Sequence, residues 1–163
     1  MTTMAHRTTR NAKAGDLLQL PMNPGAIWAR VLYADAPGQS KRGVYLVVLD
    51  RDVAEGDDLA EVARARVLVG PMQTIPVHIK SGAWRIAGNV PLTEEEAQLP
   101  YLEDRLGMVN FAGERVEDTP ENRARMVQER VAPPDLVVDV ARAARGLAPW
   151  YPGYDDYRPR REA

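Results

Sequence analysis

The chain contains no cysteine, which excludes disulfides, thiolate metal sites and a cysteine nucleophile, and fits a reducing compartment. Serine occurs only at Ser40 and Ser81, both among turn-forming neighbours, and histidine only at His6 and His78. A serine–histidine–carboxylate triad would have to be built on His78, because His6 lies in a polar terminal segment. No Gly-x-Ser-x-Gly elbow, glycine-rich phosphate loop or His-Glu-x-x-His pair is present. His78 alternates with Val77 and Ile79, the pattern of a partly buried strand histidine with a single hydrogen-bond partner. Aromatic residues are sparse, with one Phe, and the arginines are dispersed among carboxylates. A direct nucleic-acid ligand is therefore disfavoured, because such a surface wants a basic stripe with stacking rings. No apolar run approaches the ~20 residues of a membrane span, the longest being Val44–Leu49. The first fourteen residues lack the apolar segment of a signal peptide or anchor. These absences lead to the expectation of a cytoplasmic protein without enzymatic activity, metal, cofactor or membrane association.

What is present is a balanced globular composition, 45% hydrophobic and 27% charged over 163 residues. Lysine appears only at 13, 41 and 80 against abundant Arg and Ala, the codon signature of a GC-rich bacterial genome. The length suits one domain with short appendages: a flexible arm at 1–14, a mainly β domain at 15–146 and a Pro-, Tyr- and Arg-rich tail at 147–163. The net charge of −2 is unevenly spread. Lys41–Asp104 holds seven basic residues against eleven acidic ones, concentrated in Asp50–Glu61 and Glu94–Asp104.

Strands are expected at Leu17–Leu20, Ala26–Tyr33, Val44–Leu49, Val67–Val69, Thr74–Ile79, Ala83–Ala87 and Met108–Ala112, with Pro76 marking an edge or bulge. Alternation places Trp28, Arg30 and Leu32 on one face and Ile27, Val31 and Tyr33 on the other. The unbroken apolar run Val44–Leu49 reads as a central strand covered on both sides. Asp57 or Asp58 can cap a short helix, Thr93 and Glu96 have capping-box spacing, and Pro100 ends that helix. Two helices close the domain. One has Thr119 as cap, Pro120 in its first turn and an end near Arg130; the other has Asp135 as cap and Gly146 as stop. The fold class is thus mainly β (α+β), a small strongly curved sheet or barrel followed by two C-terminal helices.

Carboxylates are the remaining chemical resource. Asp50, Asp52, Glu55, Asp57, Asp58 and Glu61 crowd one loop in which Arg51 is the only cation. As a calcium loop starting at Asp50, the segment has Ala54 at the fifth ligand position and its glycine one place late, at Gly56, so a metal is not expected. The loop reads as solvated, or as an acidic patch that engages a basic protein surface. Trp84 is expected in the core, and Trp28 is open between core and surface. The tail Trp150–Tyr157 is too aromatic for a simple disordered segment, so it docks either on its own domain or on another protein.

Gly15-Asp16 followed by Leu17–Leu20 and Pro21, Gly25 in the turn, Arg30-Val31 in the next strand, and later Trp84-x-Ile86-x-Gly88, resemble the immunity protein 26 family of bacterial polymorphic-toxin systems. The resemblance covers about residues 13–112, departs from the pattern at Ala29, where a glycine is expected, and has no counterpart for the tail. It implies a mainly β, non-catalytic protein that binds and neutralises a cognate toxin, a basic toxin domain being the partner such an acidic chain suits. It assigns Gly15, Asp16, Pro21, Gly25, Arg30, Trp84 and Gly88 structural roles and names no contact residues. The alternatives are a structural or accessory subunit of a larger assembly, with arm and tail as docking elements, and a carboxylate-based hydrolase.

Overall fold

The computed structural model describes residues 11–35, 43–103, 107–127 and 130–159. Residues 1–10 of the expected arm, most of the 36–43 loop, Asp104 of the second acidic segment, 128–129 of the first C-terminal helix and 160–163 of the tail lie outside the described residues.

Five strands form one antiparallel sheet: β1 (Asp16–Pro21), β2 (Ala26–Ala34), β3 (Val44–Asp52), β4 (Val67–Thr74) and β5 (Arg85–Asn89), in the order β4-β3-β2-β1-β5. The first four strands follow one another as a meander, and β5 returns to pair with β1. The sheet is open. Its edges, β4 and β5, do not meet, so the expected barrel or strongly curled sheet is not formed. The physical reason is that both faces are covered by other elements, which hides the apolar surface without closure. Leu18, Leu20, Ile27, Ala29, Val31, Leu46 and Val48 build one core, and Leu17, Trp28, Leu32, Tyr45, Val47 and Leu49 build the other. Every residue of Val44–Leu49 is buried, as its unbroken apolar pattern requires.

Tyr33 departs from simple alternation. A register shift between Val31 and Tyr33 inserts one residue, so Tyr33 turns to the face of Leu32 and packs against Tyr45 and Phe111. A bulge of this kind flips the side chains beyond it, and no local composition rule announces it.

The helices also differ from expectation in number and position. Single turns α1 (Leu59–Val62), α2 (Val77–Lys80) and α3 (Glu94–Ala97) lie between strands, and α4 (Pro120–Arg125) and α5 (Pro134–Ala144) come last. The expected strand Thr74–Ile79 is replaced by the end of β4 and by α2. Pro76 precedes the helical turn, and of the three apparently alternating aliphatics only Ile79 is buried. Proline is tolerated at a helix start because its missing N–H has no partner there. Asp135 lies in the first turn of α5; Pro133 occupies the cap and Pro134 opens the helix. A second, three-stranded sheet joins β6 (Pro100–Glu103), β7 (Gly107–Asn110) and β8 (Arg115–Val116), of which only the middle strand was expected.

The apolar stripe of α5 (Val137, Val140 and Ala141) covers the first core, and Val62, Val109 and Val127 cover the second. Ala12, at the end of the expected arm, is buried in the first core. The tail docks on its own domain. Residues Pro152–Tyr157 form a 3-10 helix whose Tyr157 is buried beside Gly70 and Met72 of β4, with Trp150 and Tyr154 packed on the same core. Arg158 stacks on Trp150, and Asp155 accepts from the Trp150 indole N–H at 2.8 Å.

Trp84, only 2% exposed, fills the first core between α2 and β5, with the His78 ring edge-on to it. Trp84→Ala is expected to cost about 3–5 kcal/mol, the range for emptying a large aromatic site. Urea unfolding measures it, and a loss below about 1 kcal/mol, the size of a surface effect, contradicts the packing described.

Candidate functional site

The acidic segment Asp50–Glu61 leaves the end of β3, turns at Gly56 and enters α1. Its carboxylates divide into those that hold the loop and those that face solvent. Asp57 accepts from the Trp28 indole N–H at 2.8 Å, from the Ala54 backbone N–H at 2.8 Å and from Arg51 at 3.1 Å. The Ala54 N–H, followed by the indole and Arg51, holds its carboxyl below the ordinary carboxylate value. Asp58 is the N-cap of α1, accepting from the Ala60 N–H at 2.9 Å. Trp28, left open by the sequence, is therefore a buried ring whose polar edge is tied to this loop.

Asp50 and Asp52 meet cations from distant segments. Arg66, just before β4, lies 2.5 Å from Asp50, and Arg145, at the end of α5, lies 3.0 Å from both Asp50 and Asp52. The Arg66 hydrogen bond, working against burial and joined by the Arg145 charge, lowers the Asp50 pKa. The field of this loop is thus weaker than the local sequence suggests, because two of its counter-ions arrive through the fold. Asp52, Glu55, Asp58 and Glu61 remain exposed along the loop, with Arg51 at 4.0 Å from Glu61. Among the described residues no three His, Cys, Asp or Glu side chains converge as a metal site requires.

Beside Asp52 lies an open groove of about 490 Å³. It is lined by the β1–β2 turn (Met22, Pro24, Gly25), Ala26, Val53, Arg145 and Leu147. Arg142 of α5 donates to the backbone carbonyls of Met22 and Asn23, which ties the turn to the helix. Leu147 is 47% exposed at the rim.

The residues carrying the family resemblance sit mostly inside the fold. A Cβ at Gly15 would lie 2.6 Å from the Val90 carbonyl oxygen, in a backbone with φ +90°, and one at Gly88 would lie 2.5 Å from Leu59. Buried Asp16 accepts from the Lys13 N–H at 2.9 Å and from the Asn89 amide at 3.0 Å, locking the start of β1 to β5. Pro21 ends β1 at the surface, and Gly25 lies in the turn that lines the groove. Arg30, 1% exposed, donates to Glu96 at 2.6 and 3.1 Å and to the Pro91 carbonyl at 3.0 Å. Burial pushes the Glu96 carboxyl up, but the Arg30 hydrogen bond, the Thr93 N–H and the Arg30 charge outweigh it and leave it below the ordinary 4.5. The capping box of α3 is legible in Thr93 and Glu96; the second duty of Glu96, as counter-ion to a buried arginine sixty-six positions earlier, is not.

His78 lies in α2, with Nε2 3.7 Å from the exposed Asp135 carboxylate. The Ser81 hydroxyl donates to the His78 backbone carbonyl, so these two side chains do not form a nucleophile–base pair. No helix among the described residues is long and apolar enough to cross a membrane. No known family model, curated protein sequence or solved structure matches the chain.

Two predictions arise from these contacts. Asp57→Ala leaves a buried indole and a turn N–H without their acceptor, whereas Glu55→Ala removes an exposed carboxylate. The first is expected to lower the melting temperature clearly and the second to leave it within experimental scatter. Equal melting temperatures would show that Asp57 does not hold the loop. For the pH dependence, a lowered folded-state pKa means that the unfolded chain takes up protons first as pH falls. The stability from Glu96 is therefore complete above about 4.5 and is lost as pH drops through the folded value. Glu96→Gln should be less stable than the parent at neutral pH and should lose less on acidification from about pH 7 to about pH 3. Parallel acid limbs for the two proteins in urea titrations would rule this contribution out.

Proposed function

We propose that the chain is a non-catalytic protein-binding domain that neutralises a basic toxin domain, as its resemblance to the immunity protein 26 family implies. In that reading it works in the bacterial cytoplasm with no cofactor. The observation that supports it best is the ordering of the acidic loop. Asp57 and Asp58 spend their hydrogen bonds on the loop's own backbone and on Trp28, and Asp52, Glu55 and Glu61 are held exposed beside them. A surface already fixed in place loses little conformational entropy when a partner docks, and its charge accelerates encounter with a basic one. Arg66 and Arg145 moderate the charge at Asp50, and Arg145 at Asp52, without reaching Glu55 or Glu61.

The second reading, an accessory subunit of an assembly, is favoured by a different observation. Ile75, Val77 and Val131 are each about half exposed near the end of β4, where Val131 bridges to Gln73. A concentration-dependent mass in light scattering would support it.

The test is co-purification with the product of the neighbouring upstream gene, followed by association kinetics. Glu55→Lys with Glu61→Lys is expected to slow association by roughly tenfold at low salt and to flatten its salt dependence. Melting temperature should hardly change, since neither side chain holds the loop. Association indistinguishable from the parent at every salt concentration overturns the role of the loop. A chain that neither binds nor neutralises that gene product refutes the reading.

A further inference from the structure

The groove beside the acidic loop combines features that select one kind of occupant. Its lining is largely aliphatic (Met22, Pro24, Ala26, Val53, Leu147) around the paired Asp52 and Arg145, and it is open to solvent. Asp52 is the carboxylate of its lining; neighbouring Asp50 is engaged by both Arg66 and Arg145. Asp52 is 74% exposed and, among the described residues, meets only Arg145, through one of its oxygens. The other oxygen of Asp52 is the open acceptor at the rim. The adjoining loop adds Glu55, Asp57, Asp58 and Glu61 against Arg51 and Arg64, so the field there is negative.

We infer that this groove seats an arginine side chain of the protein partner, its guanidinium on Asp52 and its methylene stem along Leu147 and Val53. This rests on the protein-binding reading above and locates the contact within it. Arginine fits better than lysine because its planar, weakly hydrated head lies flat on aliphatic walls while one N–H reaches the open Asp52 oxygen. Guanidinium–carboxylate pairing is already present at this residue, since Arg145 reaches Asp50 and Asp52 at 3.0 Å each. Arginine is also, with tryptophan and tyrosine, one of the residue types enriched where binding energy concentrates at protein interfaces.

The experiment is an NMR titration of the full chain with the blocked peptide acetyl-Gly-Arg-Leu-Gly-amide and with its Glu and Lys counterparts. The Arg peptide is expected to shift the amides of Gly25, Ala26, Val53 and Leu147, with the Lys peptide weaker and the Glu peptide inert. Asp52→Asn, which alters one exposed side chain, should weaken the Arg peptide roughly tenfold, the value of one charge-assisted hydrogen bond. Leu147→Ser leaves every carboxylate in place and should weaken it as well, which guards against a rearrangement of Arg145 in the first variant. Absence of shifts at those amides, equal response to the Glu peptide, or indifference to both substitutions overturns the proposal. Shifts of the same amides on raising protein concentration alone would make a second copy of this chain the occupant and overturn it too. The protein-binding reading fails separately. If the upstream gene product is bound while the groove ignores the peptide, the contact lies elsewhere and only the groove assignment falls.

Discussion

Two-sided burial of the central strands is the constraint to which everything else in this molecule answers. β2 and β3 present apolar side chains to both faces, and an antiparallel sheet of that kind is stable only if each face is covered. One cover is α5 with the aromatic tail, and the other is α1 with the residues around the small second sheet. The open edges of the sheet follow from the same condition. Once helices and loops exclude water from both faces, nothing is gained by bending β4 round to β5. Along the outer edge of β4, Gln73 accepts from the Ala132 N–H at 2.7 Å, so the segment before α5 blunts an edge that would otherwise offer pairing groups.

A polar residue in such a core must bring its own partners. Arg30 lies on the second face among Trp28 and Leu32, and the single turn α3 supplies Glu96 while the preceding Pro91 carbonyl takes another of its N–H groups. A buried guanidinium without those acceptors would be far more damaging than an apolar replacement, which ties the placement of α3 to one residue of β2. Trp28 repeats the logic at smaller scale. Its ring serves the core, and its N–H reaches Asp57, so the shape of the acidic loop is coupled to the packing beneath it. The exposed carboxylates therefore sit on a loop whose conformation belongs to the fold.

Much of the local structure was legible in the sequence because it depends on neighbours a few residues apart. The five strands of the main sheet were found near their observed bounds except where β4 runs on through Gly70 and Pro71 to Thr74. The caps at Thr93 and Thr119 were readable from spacing, and that at Asp58 as one of two candidates beside Asp57, since each is a side chain accepting from an N–H two or three residues on. The errors have a common origin. Ile75, Val77 and Ile79 alternate as a strand does, yet the turn after Thr74 and the burial of Ile79 alone make them a helical turn. Tyr33 alternates with Val31, yet a bulge turns it over.

The candidate site divides along the same line. The sequence by itself determined which residues carry charge, that cysteine chemistry is absent, and that six carboxylates crowd the end of the third strand and the segment after it. The tertiary structure decided which of those carboxylates are spent internally. It brought Arg66 and Arg145 to Asp50, Arg145 to Asp52 and Trp28 to Asp57, and it gathered Leu147 and the β1–β2 turn into one groove. The charged partners lie up to ninety-five positions away along the chain, as Arg145 does from Asp50. Hydrogen bonding and Coulomb attraction act over a few ångströms of space, and the distance in space between such residues is fixed only once the sheet is covered and α5 has docked.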